Sequence, residues 1–136
     1  MSLPLRKIWL REIDMRHNDA GFYKSIRFSW YGRFKRSAEK RGIEWKLTIE
    51  DLEELYQAQE GKCALTDDPI FMPNTGYHSD YDASIDRINS SFPYMVGNIQ
   101  LTTKISNMMK QSYSQERFIE VCNKIATHTI NQNKEV

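Results

Sequence analysis

The stretch from residue 83 to residue 112 constrains the fold more than any other part of this sequence. Residues 83–88, Ala-Ser-Ile-Asp-Arg-Ile, alternate in polarity as a half-buried strand does. A turn-rich segment follows, and Asn-Ile-Gln-Leu at 98–101 is a second strand candidate. Residues 103–111 then have helical character. Strand, turn, strand and helix in this order predict a hairpin with one helix packed against it.

A basic amphipathic helix is predicted upstream, over residues 23–41. Its apolar residues recur at every fourth position, and most of its arginines and lysines fall away from that stripe. The apolar positions are Ile26, Trp30, Phe34 and Ala38. Gly42 is expected to end the helix. The aromatic residues of this helix are interpreted as core residues rather than as platforms for nucleic-acid bases.

Three further segments complete the prediction. A second helix begins after Thr48, where Asp51 lies near the positive end of the helix dipole, and ends at Gly61. Residues 63–66 form a strand candidate, and turn signals over residues 67–82 predict a loop. A last helix opens at Ser114. Its apolar stripe comprises Phe118, Val121, Cys122 and Ile125.

The charges are distributed unevenly along the chain, although the formal net charge is only +1. Residues 1–48 contain twelve Lys and Arg against five Asp and Glu, a net charge of +7. Residues 49–136 contain seven against thirteen, a net charge of −6. A basic half joined to an acidic half favours a protein that contacts a polyanion with one part and holds cations with the other. Solvated helix faces are the alternative interpretation.

Together these elements predict an α+β protein that is mostly helical. Residues 1–47 are assigned to an N-terminal basic helical region, residues 48–126 to a core that contains the 83–112 unit, and residues 127–136 to a flexible polar tail. No apolar run approaches the roughly 20 residues needed to cross a bilayer, and the N-terminus lacks a secretory signal. We expect a soluble cytoplasmic protein with no membrane partner, in which Cys63 and Cys122 stay reduced.

Several segments resemble phage-type HNH endonucleases, also called ββα-metal or His-Me finger nucleases. Within the unit they are SIDRINSS at 84–91, GNIQL at 97–101 and KISNMMK at 104–110. Upstream, KRGIEW at 40–45, TIEDL at 48–52 and GKCALT at 61–66 are similar to the segment that precedes the finger in such proteins. The resemblance spans about residues 33–125, and its specific part is the spacing.

The resemblance implies a site, residue by residue. In the family an Asp-His pair ends the first strand, an Asn opens the second, a His or Asn lies on the helix, and a Lys follows one turn later. Asp86 and Asn107 would then hold one divalent ion, Mg²⁺ or Mn²⁺, for which carboxylate and amide oxygens are suitable ligands. Asn98 would position the hairpin loop and the base, and Lys110 would face phosphate.

One departure from the family concerns the general base. The family's histidine directly follows the metal-binding Asp, and here that position holds Arg87, which stays protonated and cannot take a proton from water. Arg87 is expected to clamp the scissile phosphate instead. The base candidates lie in the preceding loop: His78 first, then Tyr81 and Asp82. An exposed loop histidine without a role is the competing interpretation of His78.

A second departure concerns zinc. Relatives with paired CxxC motifs carry a structural zinc site, whereas the corresponding positions here hold Cys63 with Thr66 and Thr103 with Ser106. One thiol cannot hold structural zinc, so none is expected. Apolar packing of the helices at 48–60 and 114–126 around the hairpin is expected to replace it.

The function expected first is metal-dependent endonuclease cleavage of DNA phosphodiester bonds, a hydrolase activity. The alternative is a catalytically inactive DNA-binding or phage accessory protein derived from the finger, and an interaction protein without a nucleic-acid role ranks third. A concerted double-strand cut would need a homodimer, and phage or prophage origin would place the protein in a bacterial host cell. DNA phosphates would be contacted by Arg27, Arg33, Lys35, Arg36, Lys40 and Arg41.

Overall fold

The computed structural model describes residues 21–73 and 79–134. These residues form a small α+β fold with four helices and two small antiparallel sheets, which confirms the predicted fold class in its coarse form. The residues before 21, which belong to the predicted basic region, lie outside the described ranges. In chain order the elements are β1 (Phe22–Tyr23), β2 (Ile26–Arg27), α1 (Phe28–Lys40), α2 (Ile49–Ala58), β3 (Ala83–Arg87), β4 (Ile99–Thr103), α3 (Lys104–Lys110) and α4 (Gln115–Lys134).

The hairpin β3–β4 has one apolar and one polar face, because successive side chains of a strand point to opposite sides. Antiparallel pairing sets Ile85 opposite Leu101 on the apolar face, which packs in the core. The polar face is buried as well and comprises Ser84, Asp86, Gln100 and Thr102. The helix α3 follows β4 directly and packs against both strands. The predicted order of strand, turn, strand and helix is therefore confirmed.

The helix α1 begins at Phe28, not at residue 23 as the periodicity predicted. The preceding residues form the pair β1–β2, in which Lys24 adopts the left-handed conformation at φ 50°. This turn is anchored by α2, since Ser25 donates through both its amide and its hydroxyl to the buried Glu53. Tertiary contacts thus override the local helical pattern. At the other end α1 stops as predicted, with Gly42 at φ 71°.

The helix α2 starts as the sequence predicted. The Asp51 amide donates to the Thr48 hydroxyl at 3.2 Å, and the Thr48 amide donates to the Asp51 carboxylate at 2.8 Å, which forms a capping box. The prediction of a strand at residues 63–66 is wrong. These residues turn instead, because Asp67 adopts φ 65° and its amide closes the turn on the Cys63 carbonyl at 2.9 Å.

One hydrophobic core connects the N-terminal helix with the hairpin. Its buried apolar side chains come from β2, α1, α2 and both hairpin strands, and they pack in a single cluster. The buried indole of Trp30 donates to the Ala83 carbonyl of β3 at 2.8 Å, and Phe34 packs against Trp30 with ring centroids 5.0 Å apart. The interpretation of the α1 aromatics as core is confirmed. Residues on both sides of the predicted boundary at residue 47 therefore contribute to the same hydrophobic core.

The helix α4 differs from the prediction in length and in packing. It continues to Lys134, so the tail assigned to 127–136 is helical up to that residue. No Gly or Pro interrupts the segment, which explains the continuation. None of the α4 side chains is buried, and Ile125 is 62% exposed. The expectation that this helix packs around the hairpin as apolar core is therefore wrong.

Charged side chains on the exposed surface of α4 bond to one another along the helix. Arg117 and Lys124 lie 3.1 and 3.2 Å from Glu120, at the spacings that place side chains on one helix face. Hydrogen bonds from Lys124 and Arg117 hold the pKa of Glu120 below its ordinary value. Within residues 21–73 and 79–134, no helix combines the length and the apolar character that a membrane span requires.

Candidate functional site

The helix α3 brings Asn107 and Lys110 onto the polar face of the hairpin. Residues three apart on a helix share a face, as do residues two apart on a strand, so this pair can meet Ser84 and Asp86 together. Asn107 Nδ2 donates to Ser84 Oγ at 2.7 Å and to a β3 carbonyl at 3.3 Å. Lys110 Nζ donates to Asp86 Oδ1 at 3.0 Å and to the Arg87 carbonyl at 3.3 Å. Asn107 and Lys110, which are three residues apart, thus make two adjacent contacts between α3 and β3.

Asp86 is buried, and both of its carboxylate oxygens accept hydrogen bonds. The Asp86 and Lys110 side chains are 3% and 1% exposed. The second oxygen, Oδ2, accepts a bond at 2.9 Å from Gln100, the residue opposite Asp86 in β4. Gln100 also donates to Gln115 Oε1 at 2.8 Å, which links the network to the start of α4. Gln100 was not among the predicted site residues, and its position opposite Asp86 in the second strand is the signal that could have identified it.

Asn98 holds the loop between β3 and β4 through three hydrogen bonds. Its Oδ1 accepts from the Asn89 amide at 2.9 Å. Its Nδ2 donates to the carbonyls of Asn89 and Pro93 at 3.0 and 2.9 Å. The side chain is buried and contacts loop backbone, so within the described residues Asn98 positions the loop and does not enter the cleft described next.

A cleft of about 420 Å³ lies between α1, the hairpin and α3. Asp86, Arg87 and Asn107, three of the predicted site residues, all line it. Arg41 joins them from the end of α1. The remaining lining residues are Phe34, Ser37, Ile85, Ser90, Tyr94, Gln111 and Ser112. The cleft therefore combines part of the predicted site with one member of the predicted DNA-contacting set.

Arg41 and Arg87 both contact Tyr94 in this cleft. Arg41 Nη2 donates to the Tyr94 hydroxyl at 2.9 Å, and its Nε donates to the Ser37 carbonyl at 3.3 Å. The guanidinium carbon of Arg87 lies 5.2 Å from the centroid of the Tyr94 ring, and Nη1 donates to two loop carbonyls at 2.8 and 3.1 Å. Both guanidinium groups are thus held in place by neutral partners among the described residues. The pairing across Tyr94 was not predicted, because it joins segments distant in sequence.

A divalent ion does not fit at Asp86 in this arrangement. Lys110 and Gln100 already bond to its two oxygens, and an ammonium group at bonding distance repels a second cation. The described ranges contain no group of three or more His, Cys, Asp or Glu side chains able to hold a metal, although the implied Asp86–Asn107 pair would not need one. Binding of Mg²⁺ or Mn²⁺ at this position would therefore require Asp86 and Lys110 to separate.

The hydrogen bond between Lys110 and Asp86 also contradicts the role predicted for Lys110. Lys110 does not line the cleft and is almost fully buried, so it does not face a phosphate group. The helix register placed it on the expected side of α3, but there the Asp86 carboxylate accepts a hydrogen bond from its ammonium group at 3.0 Å.

Tyr81 and Asp82, two of the three candidate bases, do not line the cleft that contains Asp86. His78 lies outside the described residues. Tyr81 is 47% exposed and does not line the cleft. Asp82 is buried, accepts hydrogen bonds from the Ser79 amide and hydroxyl at 3.1 Å each, and lines a separate pocket. Neither Tyr81 nor Asp82 is therefore placed to remove a proton from water beside Asp86.

The basic residues predicted to contact DNA fall into three groups. Arg27 is 5% exposed and its guanidinium carbon lies 4.3 Å from the Phe22 ring centroid, so the prediction that it contacts DNA from the solvent side is wrong. Lys35 is exposed but lies roughly 200° around α1 from Arg33, at about 100° per residue. The other four are exposed and are called here the α1 basic stripe: Arg33, Arg36 and Lys40, which are three and four residues apart on one face of α1, and Arg41, which lines the cleft.

The structure brings together the four residues at the positions of zinc ligands in the relatives with paired CxxC motifs. They are Cys63, Thr66, Thr103 and Ser106. The Thr103 amide donates to Cys63 Sγ at 3.3 Å, and the hydroxyl oxygens of Thr103 and Ser106 lie 2.6 Å apart. Burial raises the pKa of the Cys63 thiol, but hydrogen bonds from the Thr66 side chain and from backbone amides outweigh burial and lower the pKa. Hydrogen bonds thus join these four residues into one cluster between the 63–66 turn and the start of α3.

Comparison with known proteins assigns no function to this chain. No family model matches it, and no solved structure matches it significantly. An uncharacterized protein of Acanthamoeba polyphaga mimivirus is 30% identical over 106 residues. The match covers 78% of this chain and 18% of the viral protein, so the chain spans less than a fifth of that relative's length.

Proposed function

We propose that this chain binds nucleic acid by contacting the phosphate backbone at the cleft between α1 and the hairpin. The observation that carries the proposal is the pair Arg41 and Arg87, held against Tyr94 without a carboxylate partner among the described residues. A guanidinium group presents a planar fork of donors that matches phosphate oxygens. In this proposal the hairpin and α3 are an HNH-type finger used for binding.

The neutralisation of Asp86 supports phosphate binding. An uncompensated carboxylate at the floor of the cleft would repel a phosphate group, whereas the ion pair with Lys110 has no net charge. The charge presented to a ligand is then set by Arg41 and Arg87.

The α1 basic stripe extends the positive surface beyond the cleft. Its side chains are exposed, and Arg33, Lys40 and Arg41 lie three or four residues from Ser37, a cleft residue. Contacts of long basic side chains with phosphates position a protein on nucleic acid without selecting a sequence. Binding with weak sequence preference and strong dependence on salt follows.

Replacing Arg33, Arg36 and Lys40 together by Gln should weaken DNA binding and reduce its dependence on salt. If each residue neutralises one phosphate, the slope of log affinity against log salt should fall by about 3 for duplex DNA. Fluorescence anisotropy of a labelled duplex, titrated with protein at several salt concentrations, measures both quantities.

The matched control removes three positive charges elsewhere, in the variant Lys35→Gln/Lys62→Gln/Lys124→Gln. All three lysines are exposed and lie off the stripe and off the cleft. The control should keep the native slope. An equal loss of DNA affinity in both variants would contradict the proposal, as would the absence of DNA binding by the native chain at low salt. Either result would favour an interaction protein without a nucleic-acid role.

Metal-dependent cleavage of DNA, the activity that the resemblance implies, is the second proposal. One observation favours it: Asp86, Arg87 and Asn107 line the same cleft. The Asp86–Lys110 bond opposes it, because no reaction step can use a metal at Asp86 while that bond holds. We therefore rank binding above cleavage.

A supercoiled-plasmid assay with Mg²⁺ or Mn²⁺ separates the two proposals. If the chain only binds, the plasmid stays supercoiled under conditions in which anisotropy shows binding. Nicking by the native chain that disappears in both Asp86→Ala and Asn107→Ala, each purified identically, would support cleavage instead. The Lys35→Gln variant is the control, because its side chain is remote from the cleft.

A further inference from the structure

The ammonium group of Lys110 is bound by oxygen atoms in a buried position. Its Nζ lies 3.0 Å from Asp86 Oδ1 and 3.3 Å from the Arg87 carbonyl oxygen, and the side chain is 1% exposed. A lysine is almost never buried to this extent unless it is paired. A buried position surrounded by a carboxylate and a carbonyl is also the environment that a hard metal cation prefers.

We propose that Lys110 is a built-in cation that fills the metal position of the hairpin–helix unit, and that its removal opens a divalent-metal site at Asp86. The inference extends beyond nucleic-acid binding and does not rest on it, because the cation position can be tested without DNA. It also differs from the function that the resemblance implies, in which the metal is taken up from solution.

Two ligands of the opened site already surround Lys110, and a third lies in the cleft that Asp86 also lines. Without Lys110, Asp86 Oδ1 and the Arg87 carbonyl lose their common hydrogen-bond donor. Asn107 donates through Nδ2 to Ser84 and to a β3 carbonyl, which leaves its Oδ1 available as an acceptor at the same cleft. A carboxylate, an amide oxygen and a carbonyl oxygen suit Mg²⁺ and Mn²⁺, with water completing the coordination shell.

The test titrates Mn²⁺ into three chains and follows the electron paramagnetic resonance signal of the free ion. The chains are the native protein, Lys110→Met and Lys110→Met/Asp86→Asn. Lys110→Met should bind Mn²⁺ on the order of a hundredfold more tightly than the native chain, because no ammonium group then occupies the site or repels the ion. The double variant should bind no better than the native chain. Thermal melts should show stabilisation by Mn²⁺ for Lys110→Met alone.

Two outcomes would overturn the inference. One is Mn²⁺ binding by the native chain that is lost in Asp86→Asn, since the metal would then displace Lys110. The other is a folded Lys110→Met that binds Mn²⁺ no better than the double variant. If Lys110→Met does not fold in chelator, the uncharged polar variant Lys110→Gln replaces it in the same comparison. Refolding of either variant by Mn²⁺ but not by an equal ionic strength of Na⁺ would support the inference.

Discussion

Replacement of Lys110 by Met is expected to lower the free energy of unfolding by about 3–5 kcal/mol, the cost of leaving a buried charge without its partner. The Asp86 carboxylate would keep the bond from Gln100 but lose its only cationic partner among the described residues. The loss is a large share of the total stability of a small domain, which is about 5–15 kcal/mol. Urea denaturation at neutral pH in the presence of a chelator measures it.

The double variant Asp86→Asn/Lys110→Met should recover most of this loss and lie within about 1–2 kcal/mol of the native chain, because no buried charge remains. Lys104→Met is the matched control: it changes the same residue type on the same helix, and its side chain is only half-buried. Its effect should stay within about 0.5 kcal/mol. If Lys110→Met and Lys104→Met cost the same, the buried ion pair does not stabilise the fold.

Replacement of Asn98 by Ala is expected to cost about 2–4 kcal/mol, because it removes three hydrogen bonds to the backbone of the hairpin loop and each is worth about 0.5–1.5 kcal/mol. The groups are the Asn89 amide and the carbonyls of Asn89 and Pro93. The same loop supplies the carbonyls that hold Arg87. The affinity for DNA should therefore fall as well, and anisotropy on folded protein measures this second effect.

Asn89→Ala is the control for this prediction. Asn89 lies in the same loop, but its exposed side chain accepts one hydrogen bond, from the Ser91 amide at 2.9 Å. Its loss should cost under about 1 kcal/mol. A second variant, Asn98→Asp, keeps the acceptor for the Asn89 amide and turns a carboxylate oxygen toward two carbonyls. If Asn98→Asp is as stable as the native chain, donation by Nδ2 is not what holds the loop.

The hairpin and its helix could be predicted from the sequence because both elements have a local pattern. Alternating polarity fixes which residues of β3 share a face, and the three-residue spacing of Asn107 and Lys110 fixes their common side of α3. These two patterns identify the face of β3 and the side of α3 that meet in the structure, where Asn107 contacts Ser84 and Lys110 contacts Asp86. The capping box at Thr48 was predictable for the same reason, since its two partners lie within one helical turn.

The predictions from the sequence were wrong where contacts between segments distant in the chain determine the structure. The pattern of residues 23–27 is helical, yet the bonds from Ser25 to Glu53 turn the chain, and Arg27 becomes part of β2 and is buried. The resemblance assigned Lys110 to phosphate, and only the tertiary fold shows that its ammonium group meets Asp86. The site at Tyr94 joins α1 to the hairpin loop, so no local pattern could reveal it.

A cation that is part of the polypeptide does not need to be acquired from the cell. An ion site is occupied according to the free magnesium concentration and empties when nucleotides or chelators compete for the ion. The bond between Asp86 and Lys110 forms when the chain folds and has no such dependence. If Lys110 is the cation of this site, the charge of the cleft at Asp86 should stay the same whether free magnesium is plentiful or scarce.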